Sequence, residues 1–192
     1  MRRYAFASIR MALVTLLVLG VAYPLTVTGI AQVVYPAQAN GSLVRAADGT
    51  VIGSVLIGQR FTSAAYFHGR PSAAGVRGYD PTSSGASNLA PTSRTLIERV
   101  RADVAAARRE EPGLGAGAVP VDMVTASASG LDPDITLANA YAQAARVAKA
   151  RALLESVVRG IVDTQATGRQ FGVLGEPRVN VLRLNMALDA AK

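Results

Sequence analysis

From Met11 to Val34 no residue is charged, and apolar side chains fill nearly every position of the run Met-Ala-Leu-Val-Thr-Leu-Leu-Val-Leu-Gly-Val-Ala-Tyr-Pro-Leu. A helix of about 20 residues crosses the ~30 Å hydrocarbon core of a bilayer, so the pattern predicts a transmembrane helix over 11–34. Pro24 removes one backbone hydrogen bond and predicts a kink near mid-span, which a membrane helix tolerates. Tyr4, Tyr23 and Tyr35 flank or punctuate the run, with Tyr35 placed for the far interface. Thr26, Thr28 and Gln32 lie in its outer half. They either touch other membrane helices or, for the threonines, bond their own helix backbone.

Beyond the span the periodicity changes. Ser42–Arg45 and Thr50–Gly58 read as short strands around Asp48-Gly49, and Asp-Gly between apolar runs is a strong hairpin signal. Tyr66–Pro91 is rich in Gly, Ser and Pro, which predicts a long ordered loop; loops of that length in compact domains usually have a task. Thr92-Ser93 offers an N-cap for a helix to about Arg109, with Leu96, Val100 and Val104 on one face. A Pro/Gly/Ala turn region over 110–118 follows. Its Gly113-x-Gly115-x-Gly117 is no nucleotide loop, because no strand precedes it and no Gly-Lys-Ser/Thr follows.

Pro120–Gly130 predicts a short strand running into a Ser/Thr loop. Asp132-Pro133 reads as a cap with proline at the first helical position, opening a helix from about Ile135 to Ala150. A second helix is expected over about 154–165, then a loop over 168–178 with Phe171, Gly175 and Glu176. Asn180 can cap a last helix to about Leu188, although 179–184 also reads as a strand. The sum is an α+β chain: one N-terminal transmembrane helix plus an extracytoplasmic domain with a small antiparallel sheet and three or four helices. The expected divisions are 1–10 cytoplasmic, 11–34 membrane and 35–192 outside.

Charge sets the orientation. Arg2, Arg3 and Arg10 precede the span and no basic residue follows it closely, which predicts a cytoplasmic N-terminus. The competing reading is a cleaved signal peptide, with Ala37-Gln38-Ala39 as its processing site, although the apolar run exceeds a usual signal core. The formal charge of +7 and pI near 10.4 raise nucleic acid as a partner. The distribution excludes it: 17 basic and 13 acidic residues lie dispersed beyond residue 40, without a basic stripe along the sequence and with few aromatic platforms. Lysine occurs only at Lys149 and Lys192, arginine standing elsewhere, which together with the many alanines reads as a compositional bias. The chain has no cysteine, removing disulfides, thiol catalysis and cysteine-ligated metals.

His68 is the single histidine. Nothing like Gly-x-Ser-x-Gly frames a nucleophile for it, so the Tyr66–Pro71 setting predicts a packed or hydrogen-bonded loop residue. Zinc would have too few ligands, and neither lysine sits in Ser-x-x-Lys. Two hydroxyl-rich loops, 83–89 and 125–133, read equally as turn and cap chemistry or as a docking face beside the membrane.

Taken in order, several segments resemble the KdpC family, the C subunits of the bacterial high-affinity potassium-pumping Kdp ATPase. They are Tyr23-Pro24-Leu25 in the single span, Ala39–Leu43, Gly53–Phe61, Tyr66–Ala73 and Ser84–Leu89. Further on come Val124–Pro133, Gln143-x-x-Arg146-Val147-Ala148-x-Ala150-Arg151 and Leu174–Leu182. The resemblance implies a non-catalytic subunit with no cofactor of its own, in a complex with a pore-forming subunit KdpA, an ATPase subunit KdpB and a small subunit KdpF. It implies residence in the bacterial cytoplasmic membrane, in contact with lipid. The absence of Asp-Lys-Thr-Gly fits, since that motif belongs to the phosphorylated subunit. Family members are described as catalytic chaperones that raise the ATP affinity of the pump subunit, and Gln143 and Arg146 match the pair compared with ATP-binding signatures. The predicted orientation puts that pair outside and ATP inside. An equally good account has Arg146 paired within the domain and Gln143 on a helix surface.

The chain departs from the family pattern in having Asp134 and Gln165 where histidines are common; Asp134 can still favour a helix N-terminus. Asp80, Asp122 and Asp132 are candidates for concentrating cations near a pore entrance. The rival classes are a membrane-anchored extracytoplasmic hydrolase using His68 and a binding protein released after Ala39.

Overall fold

Pro24 lacks an N–H and its ring collides with the carbonyl four residues earlier; the helix answers with a local change of winding. The computed structural model, which describes residues 2–46, 48–111, 114 and 117–191, is α-helical over Arg2–Leu17 (α1), π-helical over Val18–Ala22 and α-helical again over Tyr23–Val34 (α2). The Tyr23 amide donates to the Val18 carbonyl, five residues back, so the turn before Pro24 is widened by one residue. Thr26 Oγ1 donates to the Ala22 carbonyl at 2.8 Å, the local bond expected of a threonine in an apolar helix. Over its most apolar 18 residues the Arg2–Val34 segment has a mean hydropathy of 2.1, and none of that window is buried. It is long and apolar enough to cross a membrane.

The chain divides into two units, Met1–Ser54 and Val55–Lys192. In the first, a short helix Pro36–Ala39 (α3) leads to the hairpin of β1 (Leu43–Arg45) and β2 (Val51–Ser54). The register is Leu43 with Ser54 and Val44 with Gly53, with a bulge before Arg45 meets Val51. Asp48 closes the turn by accepting from the Thr50 amide at 2.9 Å, and Gly49 takes φ +86°. The second strand stops at Ser54, short of the expected Gly58. Gly58 instead donates its amide to the Leu131 carbonyl at 2.8 Å, and a Cβ there would meet the Asp132 carbonyl at 2.5 Å.

The second unit contains α4 (Arg94–Glu110), β3 (Asp134–Thr136), α5 (Leu137–Arg151), α6 (Glu155–Gln165), β4 (Ala166–Thr167), β5 (Arg178–Asn180) and α7 (Val181–Ala190). Its sheet runs β3-β5-β4, antiparallel throughout, with Ile135 and Ala166 both opposite Val179. Ile135 and Val179 are buried with Ala140, Ala144 and Val147 of α5, Val158 and Val162 of α6, and Leu184 and Leu188 of α7. Each large aliphatic side chain withdrawn from water contributes roughly 1.5–3 kcal/mol. Phe67, fully buried, enters this core from the 66–91 loop.

Three predictions need correction. Pro120–Gly130 forms no strand; Val121–Met123 is a 3-10 turn whose Asp122 points inward. The helix expected from Ile135 begins at Leu137, because Asp134–Thr136 pairs with β5 as a strand and Thr136, not Asp132, caps the helix by accepting from the Asn139 amide. Asp132 turns instead to the Asp134 amide at 3.0 Å and to Arg70. Asp134 is therefore not a helix-dipole partner. It pairs with Arg178 at 2.8 Å and accepts from Asn180. Asn180 caps α7 through the Arg183 amide, and 178–180 is the strand. Of the turn region over 110–118, Pro112, Gly113, Gly115 and Ala116 lie outside the described residues.

Candidate functional site

A chain without regular structure must still satisfy its backbone polar groups when it is drawn against a core. The segment Ser63–His68 does so almost entirely with side chains. The Asn185 amide, on α7, accepts from the Phe67 N–H at 2.8 Å and donates to the Phe67 carbonyl at 3.0 Å. The Gln143 amide, on α5, does the same for the next residue: Oε1 accepts from the His68 N–H at 2.7 Å and Nε2 donates to the His68 carbonyl at 3.0 Å. Each side-chain amide thus substitutes for a neighbouring strand.

The carbonyls before these are held by arginines. Arg146 Nη1 donates to those of Ala64 at 2.7 Å and Tyr66 at 2.9 Å, and Arg151 Nε to that of Ala65 at 2.6 Å. The His68 ring closes the series, its Nε2 lying 3.1 Å from the Ser63 carbonyl. Six consecutive carbonyls, from Ser63 to His68, therefore each have a side-chain partner. Arg151 also lies 4.8 Å over the Tyr66 ring and pairs with Asp189, which accepts from the Tyr66 hydroxyl.

The clamp has its own support. Arg146 Nε donates to Glu111 at 2.8 Å, with side-chain exposures of 10% and 3%, and Arg146 Nη2 donates to Gln143 Oε1 at 2.7 Å. Gln143 Nε2 also donates to Asn139 Oδ1, and Asn139 Nδ2 to Asp122, which further accepts from the Thr136 amide and hydroxyl. A continuous chain of bonds thus links the start of α5 to the loop. Gln143 lies buried, not on a helix surface, while Arg146 is paired within the domain. Burial raises the Glu111 carboxyl above its ordinary range and the Arg146 charge opposes this; among the described residues its Oε2 has no hydrogen-bond partner. Burial, then the nearby Arg146 charge, holds the His68 ring below its usual value.

The rest of the loop is tied to the second hydroxyl-rich segment. Ser72 Oγ donates to the Gly130 carbonyl at 2.5 Å and accepts from the Tyr79 amide at 2.7 Å. Ser84 Oγ and the Gly85 amide both donate to the Ser129 carbonyl. Gly130 takes φ +67°, and a Cβ there would meet the Ala74 amide at 2.7 Å. Arg70 pairs with Asp132 at 2.9 Å, and Tyr79, its hydroxyl donating to the Arg70 carbonyl, is pushed up to about 12 by burial and by Asp132. The Ser72, Ser84 and Ser129 contacts are turn chemistry and loop-to-loop bonding.

The three aspartates expected to concentrate cations each make contacts within the domain. Asp122 is buried and fully engaged, Asp132 is neutralised by Arg70, and Asp80 serves the Thr82 amide and hydroxyl. Among the described residues no group of acidic and histidine side chains could hold a metal ion. The His68 ring bonds a carbonyl; among the described residues no hydroxyl or carboxylate is bonded to it, as a nucleophile–base pair requires. Sequence reasoning missed Asn185, Glu111 and the supporting role of Asp122. Asn185 carries a usable signal: it sits among Leu182, Leu184 and Leu188 on the buried side of a helix.

The family model described as "K+-transporting ATPase, c chain" matches residues 5–190. A relative from Caulobacter vibrioides named "Potassium-transporting ATPase KdpC subunit" is 56% identical over 184 residues, covering 96% of this chain and 91% of that one. One of the same name from Acidobacterium capsulatum is 60% identical over 171 residues, 89% of each. Another from Koribacter versatilis is 50% identical over 192 residues, covering 100% and 97%.

Proposed function

The chain belongs to the KdpC family, and from that premise we propose that it is the non-catalytic C subunit of an ATP-driven potassium uptake complex. Its partners are the pore-forming subunit KdpA, the ATPase subunit KdpB and the small subunit KdpF. The α1–α2 span lies in the cytoplasmic membrane against lipid and neighbouring helices. Arg2, Arg3 and Arg10 hold the N-terminus inside and the second unit works outside.

The effect on ATP affinity attributed to this family then operates through assembly, without contact between this chain and nucleotide. The observation that carries this reading is the engagement of the two motif residues. Gln143 makes four hydrogen bonds, two through each amide atom, and Arg146 makes four through its three nitrogens. A nucleotide contact would have to break these bonds, most of them partly or fully buried, at roughly 1–3 kcal/mol for each buried group left unsatisfied.

Photolabelling of the purified complex with an azido-ATP tests the proposal. Label is expected on the ATPase subunit and absent from this chain; a labelled peptide containing Gln143 or Arg146 would overturn it.

A further inference from the structure

Helix α4 has two unlike faces. Leu96, Val100 and Val104 are half-buried and Ala107 is buried, so this side meets the domain. The opposite side carries Arg94, Arg101 and Arg108, all exposed, at intervals of seven residues. Seven residues are close to two turns, so the three guanidinium groups rise in one file, spaced about 10 Å apart. Arg109 flanks the file, Ile97 and Ala105 lie within it, and Glu98 is the one acid beside it. Among the described residues none of these four arginines makes an ion pair, whereas Arg99, on the inner side, pairs with Asp103.

We propose that this face of α4 binds the anionic headgroups of the membrane in which the chain is anchored. Charge complementarity names an anionic occupant, and the form of the surface chooses among anions. Single-stranded nucleic acid is held in part by stacking on aromatic side chains, and the face has none. A protein partner requires an apolar or aromatic centre shielded by a polar rim, and Ile97 alone does not supply one. A single file of unpartnered arginines suits a fluid array of phosphates, whose spacing adjusts to the protein. The Arg2–Val34 span supplies the tether that keeps this weak, charge-only contact close to a bilayer. The face therefore orients the second unit; the anchoring itself belongs to the span.

The chain has no cysteine, so a single Ala105→Cys substitution places one spin label in the file. The labelled full chain is reconstituted in vesicles of phosphatidylcholine alone or in an equal mixture with phosphatidylglycerol. Collision with a neutral nickel chelate is then measured. Accessibility at position 105 should fall several-fold in the mixed vesicles, recover in high salt, and not fall at all when R94Q, R101Q and R108Q are combined. A label at Ser156→Cys, exposed on α6, should stay accessible in both, and circular dichroism of the triple variant reports its fold. Equal accessibility at 105 in the two vesicle types would overturn the proposal. Protection that needs the pore and ATPase subunits, and not phosphatidylglycerol, would overturn it in favour of an acidic protein surface.

Discussion

Arg146 and Glu111 pair with side-chain exposures of 10% and 3%, so removing the arginine leaves a buried carboxylate and two loop carbonyls without partners. Breaking a buried pair from one side costs about 3–5 kcal/mol. Arg146→Ala should therefore lower the unfolding free energy of the second unit, measured by denaturant titration, by an amount of that order. A loss within experimental error would mean that the clamp contributes little to stability. His68 makes a second, independent prediction. Its ring is held below the ordinary 6.5 by burial and Arg146, so between the folded value and 6.5 the unfolded chain binds more protons. Stability rises with pH through that window and is lost as pH falls through it. Glu111, raised by burial, acts in the opposite sense, but it is common to wild type and a His68→Gln variant and cancels in their difference. That difference should be constant above neutrality and shift in favour of the variant below 6.5; parallel stability curves would refute the assignment. The role of His68 as a bonded loop residue was readable from its neighbours and from the lack of any nucleophile motif. The placement of Gln143 was not, because nothing local says which side of α5 faces a loop 75 residues earlier.

At the scale of elements, local chemistry predicted well where local chemistry decides. The Asp48-Gly49 hairpin, the α4 and α6 helices and the Asn180 cap follow from turn, capping and periodicity signals within a few residues. The failures lie where distant pairing overrides a local signal. Asp132-Pro133 has the form of a helix start, yet β5 recruits Asp134–Thr136 into a sheet and delays the helix to Leu137. Pro120–Gly130 has strand-like residues, but Asp122 is needed by Thr136 and Asn139 and folds the segment into a turn. The membrane helix gives the element-scale prediction. The π turn at Val18–Ala22 adds one residue before Pro24, rotating the face of α1 against that of α2 by about 100°. Pro24→Ala removes the collision that the turn relieves. Spin-label scanning across 11–30 should show a break in helical phase in the wild type and one continuous 3.6-residue period in the variant. An unbroken period in both would contradict the role given to Pro24.

For the whole molecule, the α+β class with one apolar N-terminal helix was legible because alternation, helical spacing and an uncharged run are properties of short windows. Function was legible only through resemblance. Among the described residues no group of acidic and histidine side chains could hold a metal ion, and the polar network around Gln143 and Arg146 holds a loop to α5 and α7. A subunit that works by being part of an assembly leaves no catalytic signature to read. The direct measurement of that claim is affinity purification of the tagged chain from its own membrane in mild detergent, with mass spectrometry of what accompanies it. A full-length chain, retained uncleaved at Ala39, should be recovered with a polytopic pore-forming protein and a P-type ATPase subunit in fixed ratio. Recovery of the chain alone, stable and full-length, or of a fragment beginning at Asn40, would contradict that claim.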